Sequence, residues 1–181
     1  DYPVFTRKPS TDLSYQVCAE RLMADLDVFY PQFATHNAYS VALVLELAAK
    51  WNVATDKFEF QRLHGMGHLL YAVVQASVET PFNIRVYAPV GAHKDLLPYL
   101  VRRLLENGAN SSFVNRFMNK NVTVDELMQD TIKLVEDKTP VRHSMIPLPK
   151  DILSHSNREK HPRTNATGFD LADPLEIDQL N

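Results

Sequence analysis

Three short segments typical of β-strands alternate with longer segments typical of helices, and this alternation restricts the fold more than any other feature of the chain. The strand segments are aromatic or β-branched and bounded by turn-forming residues; they cover residues 28–34, 57–63 and 83–88. The helical segments repeat apolar residues at spacings of three and four; they cover residues 11–24, 38–51, 66–79 and 94–107. The order αβαβαβα predicts parallel strands joined by right-handed crossovers.

Successive residues of a strand point to opposite faces, and in the second and third strands one face is polar. The polar faces carry Glu59, Gln61, Leu63, Arg85 and Tyr87. An open doubly wound sheet is usually apolar on both faces, whereas a polar face suits a barrel whose interior holds a ligand. Since such a barrel has about eight strands, the sequence predicts an α/β fold made of the last three βα units of a (β/α)8 TIM-type barrel. We also expect Glu59 and Arg85 to meet inside it.

The composition is that of an ordinary soluble globular protein, with 45% hydrophobic and 23% charged residues among 181. A net charge of −3 does not favour binding to nucleic acid. Cys18 is the only cysteine, which excludes an internal disulfide and fits a reducing compartment. No apolar run approaches the ~20 residues that span a bilayer. The chain begins at Asp1 without a signal peptide, so we expect a fragment or a processed chain.

The pattern changes beyond residue 110. Thr123 and Glu126 have the spacing of a capping box, which predicts a helix that continues to about Lys138. The remaining residues are rich in Pro, His, Asn and charge, which predicts an extended linker or tail. The chain is therefore divided into a barrel part, a helical extension and a tail, at residues 1–116, 117–138 and 139–181.

The loops that follow the three strands form the candidate site, because active sites of such barrels lie at the C-terminal ends of the strands. These loops include residues 35–37, 63–68 and 87–91. Their glycines allow a ligand to approach the backbone, and each loop precedes a helix N-terminus that favours a phosphate. Ordinary βα turns have the same composition, so both interpretations stay open.

Arg102 and Arg103 lie side by side in the helix after the third strand, in whose first turn we expect Pro98. Neighbouring helical residues are about 100° apart, so at most one of the arginines can point fully away from the core. A guanidinium near the end of a strand can clamp a carboxylate or a phosphate. Two solvated arginines on a helix flank are the alternative, which the pattern alone favours.

His64 and His68 have the spacing of two zinc ligands on a helix, but no Glu lies between them to act as a general base. Gly65 and Gly67 would also weaken a helix there. We therefore predict no structural metal. The chain also lacks the glycine fingerprint of a dinucleotide fold and the lysine motif of a P-loop.

Several long runs resemble the proline dehydrogenase domain of the bacterial proline utilisation A family, over nearly the whole chain. The runs are YPVFTRK (2–8), YPQFATHN (30–37), EFQRLHGMG (59–67), RVYAPVG (85–91), YLVRRLLENGANSSFVNR (99–116), IPLPKDI (146–152) and GFDLAD (168–173). The resemblance implies a distorted (β/α)8 barrel that binds FAD. It also implies oxidation of L-proline to Δ1-pyrroline-5-carboxylate, the first step of proline catabolism to glutamate, with electrons passed to a membrane quinone.

The last two runs resemble the connection toward an aldehyde dehydrogenase domain, so the resemblance implies a bifunctional enzyme with L-glutamate γ-semialdehyde dehydrogenase. The implied partners are L-proline and the quinone, without nucleic acid contacts through this segment. The implied location is the cytoplasm, with peripheral contact at the inner membrane. We expect the chain to be an oligomer or part of a longer polypeptide.

Matching positions suggest roles for individual residues. Arg102 and Arg103 would clamp the substrate carboxylate, and with Tyr87 they are the candidate catalytic residues. The residues expected to bind proline are Leu63, Tyr87, Tyr99, Arg102 and Arg103. The residues expected to bind FAD are Thr6, Arg7, Lys8, Thr35, His36, Gln61, Arg103, Glu106 and Ser112.

Two departures from the family accompany the resemblance. His68 stands where the family usually has Glu after HGMG, at a position where we expect a helix to begin. The earlier strands, from which the family takes a lysine, an aspartate and an arginine near the flavin and substrate, are not in this chain. A non-catalytic fragment of such an enzyme is therefore the first alternative, and an unrelated phosphate-binding barrel is the second. We expect the 181 residues alone to be inactive.

Overall fold

A computed structural model describes residues 4–108, 116, 119–128, 130–152, 168 and 177–178. Its three strands form one parallel sheet in the order β1–β2–β3. The strands are β1 (Gln32–Ala34), β2 (Glu59–Leu63) and β3 (Asn83–Tyr87). The helices among these strands are α1 (Lys8–Ala24), α2 (Ala38–Lys50), α3 (His68–Ser77) and α4 (His93–Gly108). The predicted alternation of helices and parallel strands is therefore confirmed as an α/β fold.

The first strand is shorter than predicted. Residues 28–31 are not part of it, because the amides of Val28 and Phe29 are bound to the carbonyl of Asp25 in a turn at 3.1 Å each. Pairing with β2 begins at Pro31, whose carbonyl accepts a hydrogen bond from Glu59 N at 3.0 Å. Proline has no N–H to give in return, so regular pairing starts one residue later.

Aromatic residues fill the space between the sheet and the helices. Phe33, Phe58 and Phe60 are almost fully buried, with ring centroids 5.8–6.4 Å apart. Phe60 also contacts Tyr71 of α3 at 5.7 Å and Phe82 at 4.9 Å. Burying each large apolar side chain contributes about 1.5–3 kcal/mol, so this cluster holds one face of the sheet against the helices.

The start of each helix reflects its local sequence. Asn37 caps α2 by accepting a hydrogen bond from Tyr39 N at 2.9 Å. Gly67 precedes α3 in the left-handed conformation, with φ +68°. His68 is the first residue of α3 and is exposed, as its expected position predicts.

Pro98 is not in the first turn of α4, because the helix begins at His93 and places the proline in its interior. The carbonyl four residues earlier therefore lacks its usual N–H partner.

The predicted capping box is present, with Thr123 Oγ1 accepting from Glu126 N at 3.3 Å and Glu126 Oε2 accepting from Thr123 N at 2.9 Å. The helix does not continue to Lys138. It is split into α5 (Val124–Leu127) and α6 (Thr131–Glu136). Asp130 causes the break, because its side chain accepts a hydrogen bond from Ile132 N at 2.9 Å and caps a new helix.

Residues 119–152 pack on α1 and on the segment just before it. Gln16 of α1 donates a hydrogen bond to Thr131 Oγ1 of α6 at 2.7 Å. Further along, His143 N donates to Thr6 Oγ1 at 2.9 Å, at the start of α1. A short 3-10 helix follows at Pro149–Asp151. Among the helices in the described part of the chain, none is both long enough and apolar enough to cross a membrane.

Candidate active site

A single buried carboxylate organises the polar face of the sheet. Glu59 is only 3% exposed, and its Oε1 accepts from Gln32 Nε2 at 3.0 Å and from Gln61 Nε2 at 2.9 Å. Arg85 Nε donates to Oε1 at 2.6 Å and Nη2 donates to Oε2 at 2.8 Å. The predicted meeting of Glu59 and Arg85 is therefore confirmed. The hydrogen bonds from Arg85 lower the pKa of Glu59 despite its burial.

The carboxyl ends of the strands are joined by loop hydrogen bonds. Thr35 N donates to Gln61 O at 3.3 Å, and His64 N donates to Tyr87 O at 2.8 Å. Leu63 N donates to His36 Nε2 at 3.2 Å. Each bond links one strand end to the next, so residues from three separate loops form one surface.

His36 is half-buried in this surface. Burial lowers its pKa below the ordinary value of 6.5, and Arg62 acts in the same direction, whereas Glu106 opposes the shift. Its Nε2 already accepts the Leu63 amide proton. The ring is therefore neutral near pH 7 and is fixed to the end of β2.

Helix α4 adds a cluster of aromatic and charged side chains beside β3. The guanidinium of Arg103 lies 5.5 Å from the centre of the Tyr99 ring and pairs with Glu106 at 3.0 Å. The pKa of Tyr87 is raised, mainly by burial and to a smaller extent by a hydrogen bond with Tyr99. The structure thus brings together Tyr87, Tyr99, Arg103 and Glu106, four of the residues that the sequence singled out.

Arg102 occupies a different position from its neighbour. It is exposed on α4, about 100° around the helix from Arg103. Within the described residues, no hydrogen bond or ion pair links it to Tyr87 or Tyr99. Of the two predicted carboxylate ligands, Arg103 is therefore the one that the structure places in the cluster.

The N-terminal candidates lie against the tail. Thr6 Oγ1 accepts from His143 N at 2.9 Å, and Arg7 Nη2 donates to Arg142 O at 3.3 Å. Lys8 pairs with Asp12. Lys8 also lines a cavity of about 90 Å³ between α1, α2 and the extension. The other polar side chains lining this cavity include Tyr15, Gln16, Asn37, Tyr39 and Thr131. Ser112, the remaining candidate, lies outside the described residues.

Two structural partners were missed by the sequence interpretation. Tyr71 Oη donates to Thr35 O at 2.8 Å and holds the loop after β1 against α3. Gln32 binds Glu59 from β1, and the alternation of Gln32 with the buried Phe33 could have revealed its polar-face position. Across the described part of the chain, no group of three or more His, Cys, Asp or Glu is placed to hold a metal ion.

Comparisons with known proteins converge on one family. The family model described as "Proline dehydrogenase" matches residues 1–116. "Bifunctional protein PutA" of Escherichia coli (strain K12) is 46% identical over 189 residues, which cover 99% of this chain and 14% of that protein. "Proline dehydrogenase 2" of Bacillus subtilis (strain 168) is 34% identical over 117 residues, which cover 64% of this chain and 36% of that protein.

Solved structures agree with these sequence matches. The chain aligns with a crystal structure of bifunctional proline utilization A (PutA) at a TM-score of 0.76 and 46% identity, covering 99% of this chain and 17% of that one. It aligns with PutA from Bdellovibrio bacteriovorus, inactivated by N-propargylglycine, at a TM-score of 0.64 and 34% identity, covering 74% and 14%. The chain thus spans only a small part of the PutA relatives that it matches.

Proposed function

The chain belongs to the proline dehydrogenase family, and from this premise we propose that it supplies part of an active site that oxidises L-proline to Δ1-pyrroline-5-carboxylate. The observation that carries the proposal is the cluster of Tyr87, Tyr99 and Arg103 beside the end of β3. In the proposed complex, Arg103 and Arg102 bind the substrate carboxylate, because a guanidinium offers paired donors to two oxygens.

The remaining walls of the proposed substrate site are apolar or aromatic. Tyr87 and Tyr99 pack against the proline ring, and Leu63 covers its apolar side and excludes water. The ordinary tyrosine pKa of 10.0 already keeps the Tyr87 hydroxyl protonated at neutral pH, and burial raises this pKa further, so the hydroxyl donates hydrogen bonds without carrying a negative charge. Tyr87 therefore positions the substrate as a neutral group.

FAD is the proposed cofactor, and the chemistry of the described side chains fits it. A phosphate-bearing ligand needs cations and N–H donors, which Arg7, Lys8, His36 and Arg103 can provide, while the glycine turn before α3 allows a close approach. The other proposed FAD-binding residues are Thr6, Thr35, Gln61, Glu106 and Ser112. Bound FAD supplies the acceptor for the hydride that leaves the proline carbon next to nitrogen.

The architecture proposed for the parent protein is a distorted (β/α)8 barrel in which β1–β3 are the last three strands. The open polar face supports this, because Gln32 and Ala34 of β1 and Arg85 of β3 stay exposed, whereas Phe33, which points to the opposite face, is buried. Residues 117–181 lie beyond the family match but within the 99% of the chain that aligns with PutA. We assign them to a helical extension (117–138) and a tail (139–181) toward a second, aldehyde dehydrogenase domain, in a cytoplasmic enzyme that reduces a membrane quinone.

The proposed carboxylate clamp can be tested in the full-length protein with Arg102→Met and Arg103→Met. Arg21→Met is the matched control, because Arg21 is an exposed arginine on α1 that pairs with the nearby Asp25. Removing one partner of a close charge pair costs about 2–5 kcal/mol, so the KM for proline should rise roughly 30-fold or more. The control should leave KM unchanged. If KM is equally unchanged in the two clamp variants, the substrate assignment is wrong.

The 181 residues alone should bind FAD weakly and turn over little proline. Large apolar side chains such as Leu69, Val73, Leu104 and Leu105 are exposed, which favours association with other surfaces. Strands β1 and β3 each have one neighbour within the described sheet, so each leaves an edge open to pairing. The visible absorbance of the purified chain, compared with that of the full-length protein, measures flavin retention. A monomeric, yellow, active 181-residue chain would contradict this expectation.

A further inference from the structure

Two left-handed glycines flank Met66 in the turn between β2 and α3, and they have different surroundings. Gly65 has φ +83° and Gly67 has φ +68°. A Cβ added at Gly65 would meet nothing within 4 Å. A Cβ added at Gly67 would lie 2.8 Å from His36 Cδ2, which is closer than real contacts allow. Both positions favour glycine for backbone reasons, but only Gly67 also needs glycine to leave room for a side chain.

The ring that occupies this space makes a specific hydrogen bond. His36 Nε2 accepts from Leu63 N at 3.2 Å. Two bonds hold the surrounding backbone, because Tyr71 Oη donates to Thr35 O at 2.8 Å and Tyr71 N donates to Gly67 O at 3.1 Å. The imidazole is therefore held between the loop after β1 and the turn after β2.

We propose that Gly67 is a positioning residue: the absence of a Cβ lets His36 lie where Nε2 accepts the Leu63 amide proton, which leaves Nδ1–H as the ring's donor to the ligand. This inference rests on the proposed function, in which His36 contacts FAD and Leu63 lines the substrate site. The Leu63–His36 bond then connects the cofactor side of the site directly to its substrate side.

The hydrogen bond determines which kind of ligand atom His36 can bind. A neutral imidazole has one N–H donor and one acceptor nitrogen, and the partner of one nitrogen fixes the state of the other. Since Nε2 accepts, Nδ1 carries the proton. His36 therefore binds an acceptor oxygen, such as one of a phosphate, hydroxyl or carbonyl group, and rejects an N–H group at the same position.

Gly67→Ala and Gly65→Ala form a matched pair for testing this inference in the full-length protein. Both variants place an alanine in a left-handed conformation, so they share the backbone strain. Only Gly67→Ala pushes against His36. We expect the dissociation constant for FAD, measured by flavin fluorescence, to rise about threefold to tenfold more in Gly67→Ala than in Gly65→Ala. Equal effects of the two variants on FAD affinity would overturn the step in which the positioned His36 ring binds FAD.

A double-mutant cycle separates this inference from the proposed function. In the presence of His36, Gly67→Ala should lower the urea midpoint more than Gly65→Ala does. His36→Ala removes the ring, so most of this difference between the two glycine variants should disappear when each is combined with His36→Ala. This measurement needs neither FAD nor proline. An extra loss that persists without the ring would show that Gly67 does not accommodate His36 and would overturn the inference. Coupling in the cycle with unchanged FAD affinity would support the positioning role and reject FAD as the ligand of His36.

His36→Gln and His36→Asn test the two nitrogens individually. A glutamine oxygen can reach the place of Nε2 and keep the bond from Leu63 N, whereas asparagine reaches only the place of Nδ1. We expect the glutamine variant to retain more of the wild-type urea midpoint, and the asparagine variant to retain a donor toward the ligand but lose the bond to β2. The opposite order of midpoints would contradict the proposed role of Nε2.

Discussion

The two faces of the three-stranded sheet differ in how they are completed. Phe33, Phe58 and Phe60 are buried beneath helices of the same chain. On the opposite face Gln32 and Arg85 are exposed, and the buried Glu59 ties them together. The apolar face is therefore covered by helices of the same chain. The polar face is held together by the Glu59 carboxylate and remains exposed, so other groups can bind there. Stability and function are thus expected to depend on different faces of the same strands.

The largest expected effect on stability is on the apolar face. Phe60→Ala should lower the local free energy of unfolding by about 3–5 kcal/mol, because it leaves a cavity among four aromatic neighbours. Hydrogen exchange of peptides from β1–β3 measures this loss. Val86→Ala is the control, since Val86 is on the same side of the sheet but exposed. Similar losses in both variants would show that the apolar face is not the main source of stability.

A smaller loss is expected on the polar face. Glu59→Gln replaces a charged acceptor by a neutral amide and should cost about 1.5–3 kcal/mol, the range for hydrogen bonds to charged groups. Glu20→Gln, which alters an exposed pair with Lys50, should cost less than about 1 kcal/mol. The same exchange experiment compares them. If the Glu59 variant costs as little as the control, the polar network contributes no more than a surface ion pair.

The smallest effect should appear as a dependence on pH. The folded-state pKa of His36 is lowered, mainly by burial, so the unfolded chain binds more protons than the folded chain below the ordinary value of 6.5. The contribution of His36 to stability is therefore complete above pH 6.5 and decreases as pH falls through the lowered folded value. Pulse proteolysis in urea across this range would measure it. His36→Gln should remove this component, and an unchanged profile would assign the effect to another group.

Periodicity predicted the parts of the fold that depend on local sequence. The alternation of Glu59 and Phe60 correctly predicted which residues lie on each face of β2. It also correctly predicted that Glu59 and Arg85 meet. Local rules also explain the deviations. Pro31 delayed the first strand, and Asp130 split a helix whose capping box was correctly placed. In both cases one side chain changed the backbone hydrogen bonds. The spacing of apolar residues does not predict such a change.

Two other contacts between distant segments could not be predicted from the residues alone. The hydrogen bond from Leu63 N to His36 Nε2 depends on how the loop after β1 is positioned relative to the end of β2. The difference between Arg102 and Arg103 depends on the rotation of α4, which the two adjacent residues do not reveal. Resemblance to a family suggested their roles, but the position of Arg103 beside Tyr99 is a property of the folded chain.

The bond between Thr6 and His143 has a consequence for protein synthesis. The two residues are 137 positions apart, and ribosomes add roughly 5–20 residues per second. The start of α1, with three of the proposed FAD-binding residues, therefore emerges on the order of ten seconds before its partner has been translated. During that interval a nascent chain can form the aromatic layer around Phe60, but it cannot complete the hydrogen bond that anchors the start of α1.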